Sequence, residues 1–144
     1  LVTDQRHKWI VWETTYDSYP LIVRTNVSAR EWFGSPLLPI KLGFAFPLKT
    51  SLNTSRLAQL PLPEEHDELN TIEDTVRQHV ELNTNGVHAL ALTNAKMREL
   101  IFYVSADVDI KAIHETVRKD VSTYDTQCMA VLERDWITYE NFCP

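Results

Sequence analysis

Residues 87–105 of this 144-residue chain read "VHALALTNAKMRELIFYVS". Residues 87–93 and 98–105 are rich in strand-forming types, and Asn94-Ala95-Lys96 marks a turn between them. The two runs are predicted as adjacent antiparallel strands. In the second run Leu100, Phe102 and Val104 share one face, while Ile101 and Tyr103 share the other. Both sets are apolar. A strand of that kind needs cover on both faces of its sheet.

Working outward, residues 63–83 carry a helical pattern. Pro63 stands at the start, and Glu64, Glu65 and Asp67 follow in a first turn that favours acids. Leu69, Ile72, Val76 and Val80 form one apolar stripe, and Asn85-Gly86 ends the helix. Downstream, Ile110, Ile113, Val117 and Val121 mark a second amphipathic helix capped by Asp107 or Asp109. A last strand is predicted over 126–135. Upstream, Ile40, Leu42, Phe44, Phe46 and Leu48 alternate on one strand face, opposite Gly43 and Ala45. Pro47 suggests an edge or a bulge there. The polar stretch 49–62 is expected to be a loop.

From Ile40 onward the order is β-α-β-β-α-β, the split βαβ or ferredoxin-like arrangement. The predicted class is α+β, an antiparallel sheet with two helices on one face. It is preceded by a β-hairpin over 8–15 and 21–27, turned by Asp17, Ser18 and Pro20. The hairpin would extend the sheet or cover its free face. An irregular connector follows, punctuated by Gly34, Pro36 and Pro39, with Trp32-Phe33 tucked under. We read a single domain, 1–144, divided into hairpin and connector (1–37), ferredoxin-like core (38–135) and aromatic tail (136–144).

Composition narrows the function classes. A hydrophobic fraction of 44% and a charged fraction of 24% suit a globular protein. The net charge of -6 argues against a general nucleic-acid binder and is better suited to solubility, or to a basic patch on a partner. No apolar run reaches a membrane span, and no leader pattern opens the chain, so a cytoplasmic protein is expected. Cys128 and Cys143 show no metal or redox spacing and read as reduced thiols.

The search for chemistry is mostly negative. His7, His66, His79, His88 and His114 make no HExxH or i,i+4 ligand pair. The acids of 64–68 suit a helix dipole, and Asp107 to Asp109 lacks the glycine and distal glutamate of a calcium loop. No nucleophile elbow is present, and Gly34, Gly43 and Gly86 offer no phosphate cradle. No catalytic residue, metal or cofactor is expected. Phe44, Phe46, Phe102 and Tyr103 are the residue types of an RNA-stacking sheet, but core packing explains them better.

The tail, residues 133–144, reads "ERDWITYENFCP" and is unusually aromatic for a chain segment of its kind. Trp136 and Tyr139 stand three apart, so one helical turn puts both rings on one side. The tail is expected to fold back onto the sheet or hairpin. Four segments in order carry a family likeness: Trp12, Tyr16 and 20–26; 68–76; 93–103; and 135–144. Together they resemble the bacterial domain-of-unknown-function family 695. The sharpest parts are Thr93, Arg98-Glu99 and Phe102-Tyr103, then Asp135-Trp136, Tyr139 and Pro144. Where the family is expected to have a glycine-containing turn, this chain has Asn94-Ala95-Lys96, and Asn tolerates the left-handed conformation.

That family has no established activity. Its tail is similar to that of the regulator-of-ribonuclease-activity B proteins, inhibitors of ribonuclease E with a ferredoxin-like fold. The similarity implies a protein-binding regulator. We therefore expect a non-enzymatic interaction or regulatory module with a protein partner, through a surface including Trp136, Tyr139, Phe142, Arg98, Glu99 and Tyr103. A homodimer is one arrangement that would cover the second face. The rival expectation is a small-ligand or enzyme site around Arg24, His88, Arg98 and Glu99. A third is single-stranded RNA binding on the sheet face. Arg98-Glu99 reads as a structural ion pair rather than a site.

Overall fold

The structure, a computed structural model, describes residues 8–49 and 61–144. His7 and residues 50–60 of the expected loop lie outside them. In chain order the elements are β1 (Trp9–Tyr16), β2 (Tyr19–Asn26), a 3-10 helix (Val27–Trp32), β3 (Ile40–Pro47), α1 (Pro63–Asn83), β4 (Val87–Thr93), β5 (Met97–Val104), α2 (Ile110–Asp120), β6 (Gln127–Leu132) and α3 (Ile137–Asn141).

Six antiparallel strands form one sheet in the order β1-β2-β4-β5-β3-β6. From β3 onward each helical crossover skips one strand, which gives the ferredoxin-like core. The hairpin extends that sheet by pairing β2 with β4 rather than covering its free face. Its tip is a two-residue turn, Asp17-Ser18, with positive φ at both positions (52° and 69°), the mirror-image turn that matches strand twist.

Alternation along the strands divides the interior in two. On one face Leu42, Phe44, Phe46, Leu100, Phe102 and Val104 meet Leu69, Ile72, Val76 and Val80 of α1 and Ile113 and Val117 of α2. On the other, Leu90, Ile101 and Tyr103 meet Ala29 and Leu38 of the connector and Trp136 and Tyr139 of the tail. Both faces of β5 are thus covered, the second by segments from the two flanks of the core. Asp109 caps α2 by accepting from the Ala112 amide at 3.1 Å. No helix of the described residues is long and apolar enough to cross a membrane.

Several local expectations need correction. β3 is central, between β5 and β6, and Pro47 closes it two residues past its pairing with β6. A ring nitrogen without a proton costs nothing where the neighbouring ladder has already ended. The irregularity lies instead in β4, where the register shifts between His88 and Leu90. That shift turns both Ala89 and Leu90 toward the tail-side core. The β4–β5 turn uses no left-handed residue. Asn94 holds it with its side chain, whose Oδ1 accepts from the amides of Lys96 (2.8 Å) and Met97 (2.9 Å). Gly86 follows α1 without a positive φ. It is required by close approach, since a Cβ there would meet Val104 Cγ1 at 2.6 Å. β6 ends at Leu132, where the Glu133 amide donates to the Pro39 carbonyl (2.8 Å) and the chain turns into the tail.

Candidate functional site

Trp136 is where the tail reverses. Its φ of 52° is left-handed, a costly conformation for a bulky side chain. Packing holds it there. The indole stacks on Tyr103 with ring centres 4.0 Å apart and planes 9° from parallel, and its N–H donates to the Leu38 carbonyl at 2.9 Å. Tyr139, one turn on, donates its hydroxyl to the Asn26 carbonyl at 2.7 Å. Glu133 ties the junction together. It accepts from the Tyr103 hydroxyl (2.7 Å), the Thr138 amide (2.8 Å) and the Thr138 hydroxyl (3.0 Å), with Lys41 Nζ at 3.2 Å. Burial opposes ionisation of Glu133, but these donors outweigh it and hold its carboxyl below the ordinary range.

The six residues expected on an interaction surface therefore separate. Trp136, Tyr139, Tyr103 and Arg98 are interior, each at most 1% exposed. They hold the fold and present no surface. Phe142 and Glu99 are half-buried and line a groove on the tail side of the sheet. Phe44, Phe46 and Phe102 lie under the helices and Tyr103 under the tail, so no stacking platform for bases stands open at these residues.

Arg98 and Glu99 do not pair. Neighbours on a strand point to opposite faces, and Arg98 turns toward α1. There it donates to Thr93 Oγ1 (2.9 Å), Asn70 Oδ1 (2.7 Å) and His66 Nδ1 (3.0 Å), with Glu73 at 3.6 Å. Glu73 also holds Arg24 (2.8 Å) and Arg77 (2.9 Å), and Arg77 donates to His88 Nδ1 (3.3 Å). Arg24, His88 and Arg98 of the rival site thus converge beneath α1, but Arg24 and Arg98 share Glu73, and His88 is held by Arg77. Burial, then the charge of Arg98, lowers the pKa of His66 and favours the neutral ring, whose Nδ1 accepts from the guanidinium. His79 and His114 serve packing between elements, His79 at 2.6 Å from Asp120 and His114 at 2.8 Å from the Thr126 carbonyl. Cys128 and Cys143 are free thiols on opposite sides of the sheet. Burial pushes the Cys128 thiol up to about 11.

The groove has a volume of about 780 Å³, well within the size range of ligand sites. Trp12 and Tyr19 of the hairpin stand along one side, and Thr138 and Phe142 of the tail along the other. The strand register builds its floor. One row across the sheet runs Trp12, Val23, Leu92, Glu99, Ala45, and of these Trp12, Leu92 and Glu99 line the groove. Glu99 is the single charge in that row. Gly43 leaves it room, its Cβ position lying 3.5 Å from Glu99 Oε2. Burial raises the Glu99 pKa, and the charge of Lys41 offsets this only in part. Lys41 itself is committed to Glu133 and to the Thr138 hydroxyl at 3.1 Å. Among the described residues no group donates a hydrogen bond to Glu99. Its oxygens still reach solvent, so a ligand entering the groove can supply the donor that these residues do not.

The sequence shows Glu99 as a charge inside an otherwise apolar strand face, and that signal was there to be read. The wall facing it was not, because Trp12 reaches the groove only through pairing of β2 with β4. A family model described as a family of unknown function (DUF695) matches residues 7–143. No curated protein matches the chain, and no solved structure matches it.

Proposed function

The chain belongs to DUF695, a family of unknown function, and for it we propose a non-enzymatic recognition module whose working surface is the groove between the hairpin tip and the tail. One observation carries this reading: Glu99 is a half-buried carboxylate that accepts no hydrogen bond among the described residues and feels only the charge of Lys41, set in the floor of an aromatic-walled groove. A core position that served packing alone would favour an apolar residue there. The groove is half-enclosed, and a segment of a partner protein can enter it from the open side. The Trp136 and Tyr139 pair, on which the likeness to ribonuclease regulators rests, is taken up by packing, so the partner is sought through the groove instead.

Capture from native lysate with wild-type chain, Glu99→Lys and Tyr19→Ala tests the assignment, with circular dichroism to confirm that each variant is folded. A protein held by the wild type and lost by both folded variants is the expected result. Capture indifferent to both substitutions overturns it. A small molecule retained by the wild type in native mass spectrometry, and lost in Glu99→Lys, would reassign the same groove from a protein segment to a small ligand.

A further inference from the structure

We infer that the group seated on the groove floor is a basic side chain of the partner, a lysine ammonium or an arginine guanidinium, with its stem lying on Leu92 and Ile101 and its charge on Glu99. This rests on the groove being the recognition site.

The chemistry of the floor selects that group. Glu99 is ringed by apolar neighbours: Leu92 and Ala45 across the ladder, Met97 and Ile101 along its own strand. A half-buried carboxylate on a groove floor with no hydrogen bond from the described residues can take a donor from a ligand, and it binds a charged donor more strongly than a neutral one. The apolar ring around it calls for hydrocarbon. Lysine and arginine carry both in one side chain, an aliphatic stem ending in a cation.

The other charges in the lining do not reverse this preference. Lys41 is neutralised by Glu133 at 3.2 Å. Lys96 sits exposed in the β4–β5 turn at the rim, and Asp17 offers a further carboxylate at the hairpin tip. The chain's net charge of -6 adds a long-range attraction for a basic segment. An acidic side chain would meet Glu99 with its own charge and no unpaired cation on the floor to receive it.

The test uses the full chain and three blocked pentapeptides, Ala-Ala-X-Ala-Ala, with lysine, arginine or norleucine at X. Norleucine keeps the stem and removes the charge. Binding is followed by amide and indole chemical shifts in nuclear magnetic resonance titrations. The lysine and arginine peptides should give saturable shifts at Leu92, Glu99, Ile101 and the Trp12 indole. The norleucine peptide should bind about tenfold more weakly, the scale of one charge-assisted hydrogen bond. In Glu99→Gln that difference should vanish while the fold persists. Equal binding of all three peptides, or an unchanged preference in Glu99→Gln, overturns the cation and leaves the groove as a site of other chemistry. Absence of shifts at the groove with every peptide overturns the groove reading as well.

Discussion

Glu99 decides how the tail side of the sheet is to be understood. Its carboxyl is harder to ionise in the folded chain than in the unfolded one, because burial removes water and Lys41 restores only part of the loss. A carboxyl whose folded pKa is raised weakens the fold as pH climbs through the unfolded value, near 4.3, toward the folded one. Glu99→Gln should therefore denature at higher urea than the wild type at pH 7. The two should converge below about pH 4, where the wild-type carboxyl is protonated in both states. Urea titrations at both pH values check this, and a gain that persists unchanged in acid would show that ionisation is not its source. Neighbouring Arg98 has the opposite role. Its guanidinium is engaged by Thr93, Asn70, His66 and Glu73, and its burial is the reason for α1's polar inner edge. Sequence adjacency suggested an Arg98–Glu99 pair, but the two-residue strand period, equally visible in the sequence, excludes it.

The elements themselves were largely legible, for reasons that are local. The alternation of 98–105, the 3–4 stripes of 69–80 and 110–121, and the Trp136/Tyr139 spacing each encode one element's face and depend on no distant partner. What could not be read locally is pairing. Nothing in residues 21–27 says that they join β4, and the register shift at His88/Leu90 has no glycine or proline to announce it. Turn chemistry was legible in kind but not in geometry. Asn94 was expected to supply a left-handed backbone and supplies a side-chain acceptor instead. At the other hairpin, Asp17 and Ser18 do take positive φ without being glycine. Ser18→Gly should relieve this and stabilise the fold by about 1 kcal/mol, the scale of the left-handed penalty for a residue with a Cβ. Thermal denaturation measures it. An unchanged or lower midpoint would mean that the extra freedom glycine gives the unfolded chain outweighs the relief.

At the scale of the molecule, the sheet separates two cores of different construction. The helix-side core is made by continuous crossovers. The tail-side core is closed by residues 29–38 and 136–142, which are far apart in sequence and meet only over β4 and β5. Trp136 is its largest member, and it sits at 0% exposure. Trp136→Ala removes the stack on Tyr103 and the bond to the Leu38 carbonyl, and should cost about 3–5 kcal/mol in equilibrium unfolding. The loss should also free the groove's tail wall, so binding to the groove should weaken even in the fraction that stays folded. A variant that unfolds at the wild-type midpoint would show that the tail is not needed for the second core.

Because synthesis runs in one direction, this second core has an order of assembly imposed on it. By the time β5 and α2 have emerged from the ribosome, the helix side of the sheet has nearly all its parts. The opposite side has only the connector residues Ala29, Trp32 and Leu38 to shelter Leu90, Ile101 and Tyr103. Until residues 136–142 emerge, a growing chain carries a sheet finished on one side and bare on the other, an adhesive surface. The same segment that hides this surface supplies one bank of the groove. A nascent chain therefore has no complete groove before it has finished hiding its own interior.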